Sequence, residues 1–182
     1  MLLICFDSLG QSADNKLPDS NYRMDWKVTI EEQYNFFSIN NIGIYASLTL
    51  EDKPGTHMFS FGPEYVWFNH GLEHHFDHLN QYNYLGFHLG YKYLFKLNGK
   101  NINPYFELRT SAINLNYSFY QGHMESNINT KTIIVKTNIG LGIMYSGNSN
   151  YQIYTSTGVG KLIGYYSQKS LPIPYLVIGI SI

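Results

Sequence analysis

A histidine-rich segment is the first feature of this sequence that could do chemistry. Its possible metal ligands are His70, Glu73, His74, His75, Asp77 and His78. Imidazole and carboxylate groups are ligands that zinc accepts. Gly71 and the flanking asparagines predict a loop without fixed geometry, and the spacing does not match the HExxH pattern of a metal-binding helix. We therefore expect a solvated loop that is rich in histidine, with no bound metal and no cofactor.

A second group of ionisable side chains is spread along the chain. It consists of Glu64, His88, Lys92, Glu107, Arg109 and Lys136. Each of the six comes from a stretch in which apolar and polar residues alternate. Two interpretations are open. The charges could pair and fill an interior, because buried charges must be paired, or some of them could form a catalytic set.

The composition excludes several classes of protein. Of the 182 residues, 14% are charged and 16% are aromatic, whereas a typical soluble domain has roughly 25% charged residues. The net charge of −1 argues against an extended basic face for nucleic acid. No apolar run approaches the roughly 20 residues that a membrane-spanning helix needs. The single cysteine, Cys5, excludes a disulfide framework.

Residues 23–182 repeat with a period of two, which is the period of β-strands. In the run 83–95, leucine and aromatic residues occupy one face, and His88, Lys92 and glycines occupy the other. Eight evenly spaced runs of this kind predict an all-β barrel or sandwich.

Four runs depart from strict alternation. Glu32 interrupts the apolar face of the run 26–37, and Lys161 falls on the wrong side of the run 151–166. Pro63 predicts a local irregularity in the run 57–68, because proline lacks the N–H that a strand interior needs. In the run 102–119 the apolar face changes sides, which predicts a β-bulge near Ser111–Ile113.

The connections between the runs alternate in length. Short turns fall at 52–55, 98–101 and 147–150, and longer polar connections fall at 69–81 and 121–130. Short turns at one end and longer loops at the other are typical of outer-membrane barrels, although the first and last loops are short here.

The two faces of each strand decide between membrane and water. The polar faces mix many glycines with a few ionisable residues, which suits a narrow interior. The other faces carry long apolar side chains such as Leu85, Phe87 and Leu89. Aromatic residues gather near strand ends, where membrane–water boundaries are expected; they include Trp67, Tyr84, Tyr91, Tyr93 and Tyr145. We predict a single antiparallel, up-and-down, eight-stranded transmembrane β-barrel with its apolar faces outward.

The N-terminal segment has a composition of its own. Residues 1–11 are interpreted as the remnant of a truncated signal peptide, because an apolar stretch is followed by small residues near Gly10. Residues 12–22 are predicted to be a polar linker, and residues 23–182 form the barrel domain.

The barrel region resembles the small outer-membrane β-barrels of Gram-negative bacteria, especially an uncharacterised family of such barrels. The matching features are Leu9-Gly10-Gln11, Gly140-Leu141-Gly142, Gly158-Val159-Gly160 and a final strand that runs to the last residue. Family members usually end in an aromatic residue, whereas this chain ends in Ile182. The resemblance implies a location in the cell outer membrane, with membrane lipid and the barrel insertion machinery as partners.

The predicted function is that of an integral outer-membrane protein, not an enzyme, with a structural or surface-interaction role through its longer loops. We expect a monomer that binds no nucleic acid and has a lumen too narrow for a general pore. One alternative is a soluble, lipocalin-like barrel that binds a small hydrophobic ligand. Another is a barrel enzyme that modifies lipid A; such enzymes use a serine-like nucleophile with a histidine at the rim, and no His-x-Ser pair lies near a loop end.

Overall fold

The computed structural model describes residues 23–35, 39–51, 55–68, 83–97, 101–119, 128–147, 151–163 and 172–182. The strands are β1 Arg23–Asn35, β2 Ile39–Glu51, β3 Gly55–Phe68, β4 Asn83–Phe95, β5 Ile102–Phe119, β6 Ile128–Ser146, β7 Gln152–Ile163 and β8 Ile173–Ser181. Each strand pairs antiparallel with the next, and β8 pairs with β1 to close the barrel. The predicted fold class is confirmed. In these described ranges, no helix is long and apolar enough to cross a membrane.

The barrel closes through backbone hydrogen bonds that reach the last residue. β1 and β8 pair from Thr29↔Ser181 to Asn35↔Tyr175. Beyond this register, Val28 and Ile182 exchange two backbone hydrogen bonds of 3.0 and 2.9 Å. Closure matters in a membrane, because hydrocarbon offers no partner for the free N–H and C=O groups of an open sheet edge.

The two ends of the barrel differ. The connections after β1, β3, β5 and β7 lie at one end, which we call the loop end. The connections after β2, β4 and β6 lie at the other, the turn end, together with Arg23 and Ile182. This is the arrangement that the alternating connection lengths predicted.

The side chains show the reverse of the polarity of a soluble barrel. On the outside, Leu85 is 73% exposed, Leu141 is 66% exposed and Ile178 is 51% exposed. Inside, the buried residues are largely polar or charged. A soluble barrel would bury its apolar side chains, so the lipocalin-like alternative is not supported. Because every strand carries exposed apolar side chains, the barrel presents the surface that a lipid bilayer solvates.

The predicted bulge in β5 is wrong. β5 pairs with β6 without a break from Ile102↔Tyr145 to Phe119↔Ile128. Ile113 simply points inward and is fully buried, as are Val66 and Ile134 near the same end of the barrel. The apolar residues change sides because Ile113, Val66 and Ile134 form an apolar part of the interior near the loop end, beside the polar residues Asn41 and Glu64. Tyr84 also points inward, so it does not belong to the outer aromatic belt.

The irregularity predicted at Pro63 is confirmed. The ladder between β2 and β3 pairs Gly43 with Glu64 and Ala46 with Phe61, but the two positions between are not paired. Gly62 has a φ of +157°, and a Cβ there would lie 2.5 Å from the carbonyl oxygen of Ile44. Glycine therefore allows the two backbones to approach where proline cannot donate a hydrogen bond.

Candidate functional site

The candidate site is the polar interior of the barrel. All six ionisable residues singled out in the sequence lie buried there: Glu64, His88, Lys92, Glu107, Arg109 and Lys136. The histidine-rich segment with His70, His74, His75 and His78 lies outside the described residues. In the part of the chain that the structure describes, no group of three His, Cys, Asp or Glu side chains is placed to hold a metal ion.

The centre of this interior is a residue that the sequence analysis missed. Glu31 on β1 accepts hydrogen bonds from Lys92 Nζ and Tyr154 OH through Oε1, and from Arg109 Nη2 through Oε2. Lys92 Nζ also lies 3.9 Å from the centre of the Tyr154 ring. One carboxylate thus joins β1, β4, β5 and β7 across the lumen. Its position could have been found from the period of two, because Glu31 alternates with the outward-facing Ile30.

Glu107 forms a second carboxylate centre on the opposite wall. Its Oε1 accepts hydrogen bonds from Ser156 Oγ at 2.6 Å and from Tyr175 OH at 2.8 Å. Hydrogen bonds to an ionised acceptor are stronger than neutral ones. Glu107 therefore links β5 to β7 and β8.

The third carboxylate, Glu64, lies towards the loop end. Its Oε2 accepts from Asn41 Nδ2 at 2.9 Å and from Tyr45 OH at 3.5 Å. Lys136 Nζ donates to Asn41 Oδ1 at 2.6 Å. Asn41 therefore hydrogen-bonds both a carboxylate and a cation. These bonds offset part of the free-energy cost of burying the two charged groups.

The interior charges balance. Among the described residues, the buried carboxylates are Glu31, Glu64 and Glu107, and the buried cations are Lys92, Arg109 and Lys136. These three carboxylates and three cations balance in formal charge. Because buried ions are tolerated only when they are paired, this arrangement is typical of a packed interior.

His88 and Ser60 form the arrangement closest to a catalytic pair. Ser60 Oγ lies 3.2 Å from His88 Nε2, and the His88 ring stacks on Tyr45 at 4.2 Å. A nucleophilic serine needs its histidine oriented by a third group. In the described structure, His88 Nδ1 has no hydrogen-bond partner, and both side chains are buried behind the barrel wall. The pair is therefore a packing contact without the acid that would orient it or access for a lipid substrate.

Glycines make room for the large polar side chains. Gly140 on β6 pairs with Gly158 on β7. The Tyr175 side chain lies over both glycines, and its hydroxyl donates a hydrogen bond to Glu107. A Cβ on Gly158 would lie 2.6 Å from Gly140 Cα and 2.8 Å from Tyr175 OH. The glycine-x-glycine strands are thus explained by crowding inside the barrel.

Apolar side chains pack together inside the barrel towards the turn end. Met58, Leu94 and Met144 are buried in one cluster with Tyr105 and Tyr154. Met58 is paired with Lys92 in the β3–β4 ladder. The apolar cluster therefore begins next to the hydrogen bonds of Glu31, on the side of the turn end.

The comparisons with known proteins concern this fold. No protein-family model and no curated protein matches the chain. Among solved structures, the N-terminal β-barrel domain of Pseudomonas aeruginosa OprF superimposes with a TM-score of 0.51 at 15% identity, over 90% of this chain and 98% of that one. The fold is that of a small outer-membrane β-barrel.

Two further solved structures match over most of their length. Neisserial surface protein A (NspA) has a TM-score of 0.48 at 9% identity, covering 90% of this chain and 97% of that one. A de novo designed transmembrane β-barrel has a TM-score of 0.41 at 15% identity, covering 86% of this chain and 92% of that one.

The predicted outer-membrane location is supported by the closed barrel and its apolar exterior.

Proposed function

We propose that this protein is an integral outer-membrane barrel without channel or enzymatic activity, and that its role is structural or is exerted at the cell surface through its longer loops. The observation that carries the proposal is the filled lumen. Hydrogen bonds join carboxylates and cations from five strands across the lumen. An apolar cluster fills the lumen towards the turn end. A barrel whose interior is packed acts through its outer surfaces and its ends.

A conductance measurement tests the absence of a channel. The purified protein is inserted into planar bilayers and current is recorded across a range of voltages. We expect no conductance steps, because ions would have to displace paired side chains and the Met58–Leu94–Met144 layer. The variant Met58→Gly/Met144→Gly, which thins this layer, serves as the comparison and is expected to leak more than the native chain. Porin-like steps from the native chain would overturn the proposal.

The alternative of a lipid A-modifying enzyme is tested separately. Expression of the protein is expected to leave the acyl composition of lipid A unchanged, because the Ser60–His88 pair is enclosed in the lumen. A change in acyl chains that disappears in Ser60→Ala would show that the enzyme reading is correct.

A surface role rests on the long connection between β3 and β4. β3 ends at Phe68 and β4 begins at Asn83, far more chain than a hairpin needs. We propose that this segment faces the outside of the cell, as the long loops of outer-membrane barrels do. Replacing residues 70–81 by a short Asn-Gly turn should leave the barrel folded. The same change should abolish the interaction that the protein makes at the cell surface. Unfolding of this variant would indicate a structural role for the segment instead.

The partners expected from the sequence remain part of this proposal. Outer-membrane lipid would cover the apolar belt, and the barrel insertion machinery would act on the closing strand that ends at Ile182. Extraction that requires detergent, together with heat-modifiable migration in gels, tests the first of these. Recovery of a soluble barrel without detergent would contradict it.

A further inference from the structure

A small cavity lies inside the barrel at the loop end. Its lining includes Asn35, the last residue of β1, Ile173, the first residue of β8, and Lys136 of β6. Within it, the centre of a water-sized molecule has a volume of about 10 Å³ to occupy. This is close to the least space that holds one water molecule. The cavity therefore suits a single small ion or molecule.

Lys136 brings a positive charge to this cavity. The residue is 3% exposed, and its Nζ donates to Asn41 Oδ1 at 2.6 Å, its hydrogen-bond partner among the described residues. An ammonium group has three protons to donate, so two remain for other acceptors. Glu64 is connected to Lys136 through Asn41, and the ion pairs among the described residues do not include Lys136. The ammonium group can therefore take an anion in direct contact.

Two asparagines in the lining also have unused hydrogen-bonding groups. Asn35 is 4% exposed, and its Nδ2 has no partner in the described structure. Gln33 Nε2 donates to Asn35 Oδ1 at 3.0 Å, so the free group of this amide is its N–H donor. Asn138 Oδ1 has no partner there either, but it lies against Gly160, where a Cβ would be 2.0 Å away. The groups left for a ligand are thus chiefly donors.

The charges of the lining favour an anion. Among the described residues that line the cavity there is no carboxylate, whereas the exposed Lys161 adds a second lysine beside Lys136. We propose that the cavity binds one small monovalent anion of the size of chloride, which accepts hydrogen bonds from Lys136 Nζ and Asn35 Nδ2. An anion there pairs with a buried cation and satisfies a buried donor. This inference goes beyond the proposed surface role.

Crystallography with bromide tests the position of the anion. Bromide replaces chloride in such sites and is located by its anomalous scattering. We expect an anomalous peak within hydrogen-bond distance of both Lys136 Nζ and Asn35 Nδ2, and no peak at this place in Lys136→Met. A water molecule in the cavity of crystals that contain bromide would overturn the proposal.

The chloride dependence of folding tests the same site without a crystal. Urea-dependent unfolding in lipid vesicles is measured in mixtures of sodium chloride and sodium gluconate at constant ionic strength. An anion that binds only the folded chain should raise the folding equilibrium constant roughly tenfold once chloride reaches about ten times its dissociation constant. Lys136→Met should lose this dependence. Lys96→Met should keep it, because Lys96 is exposed and pairs with Glu51 at the turn end.

A second variant separates loss of the site from loss of the fold. Asn35→Asp has the size of the native side chain and still accepts from Gln33, but it replaces the N–H donor by a negatively charged acceptor. Heat-modifiable migration shows first that it folds, and its stability should then no longer respond to chloride. An unchanged chloride dependence in this variant would overturn the proposal. Failure of the loop experiment would leave the result unaffected, since the cavity does not involve residues 70–81.

Discussion

Glu31 on β1 and Arg109 on β5 form an ion pair across the barrel lumen, and neither side chain is more than 2% exposed. The two residues are far apart in sequence and meet because the sheet closes into a narrow cylinder. The Glu31 carboxylate also accepts hydrogen bonds from Lys92 and Tyr154. Loss of Glu31 would leave two buried cations and a buried hydroxyl without this partner.

The first prediction concerns this shared carboxylate. Glu31→Ala should lower the free energy of unfolding by about 3–5 kcal/mol, because breaking a buried ion pair leaves an uncompensated charge. Urea-dependent unfolding in lipid vesicles, followed by tryptophan fluorescence, measures the change. Glu51→Ala is the control, since Glu51 forms an exposed ion pair with Lys96 at 3.5 Å and its loss should change stability by at most about 1 kcal/mol. Similar effects for both variants would show that Glu31 is not central.

The second prediction concerns the hydroxyl of Tyr175. Tyr175→Phe removes a 2.8 Å hydrogen bond to the buried Glu107 and should destabilise the barrel by about 1.5–3 kcal/mol. Tyr145→Phe makes the same chemical change on the exposed outer face and should be nearly neutral. Equilibrium unfolding of both variants under identical conditions decides the matter. A neutral Tyr175→Phe would mean that Glu107 is satisfied in another way.

The third prediction concerns the contact between Gly140 and Gly158. Gly158→Ala should destabilise the barrel by about 1–3 kcal/mol, because the new methyl group would press on the backbone of the neighbouring strand. Gly86→Ala is the comparison: its Cβ would lie 3.0 Å from the Glu64 side chain and 3.2 Å from the Ala112 carbonyl oxygen, so smaller shifts accommodate it and a smaller loss is expected. The folded fraction after refolding, read from heat-modifiable migration, compares the two. Equal tolerance would indicate that β6 and β7 separate more easily than the structure shows.

The fourth prediction concerns the membrane belt. Leu141→Arg places a cation on the apolar exterior, between the exposed Ile139 and Ile143 of the same strand, and should lower stability by about 2–4 kcal/mol in lipid vesicles. Leu97→Arg lies just beyond the end of β4 at the turn end and should have little effect. If Leu141→Arg were as harmless as Leu97→Arg, the outer surface would be facing water.

The alternation of residues predicted the strands and their outward faces well. In the runs around Leu85, Leu141 and Ile178, alternation alone identified the outward face. This was possible because one side of each of these strands carries exposed apolar residues. β5 is the exception. Its apolar residues change sides without a bulge, since Ile113 is an apolar residue of the interior, and local alternation cannot distinguish this case from a register shift.

The sequence by itself determined an eight-stranded barrel with an apolar exterior and ionisable side chains inside, because a period of two assigns each residue to one of two faces. Only the tertiary structure decided which interior residues meet. The stagger of the strands in the closed barrel sets their relative heights, and this brings Glu31 level with Lys92, Arg109 and Tyr154, whereas Glu64 lies closer to Asn41 and Lys136. Contacts across a lumen depend on this closure, and no pattern within a single strand contains it.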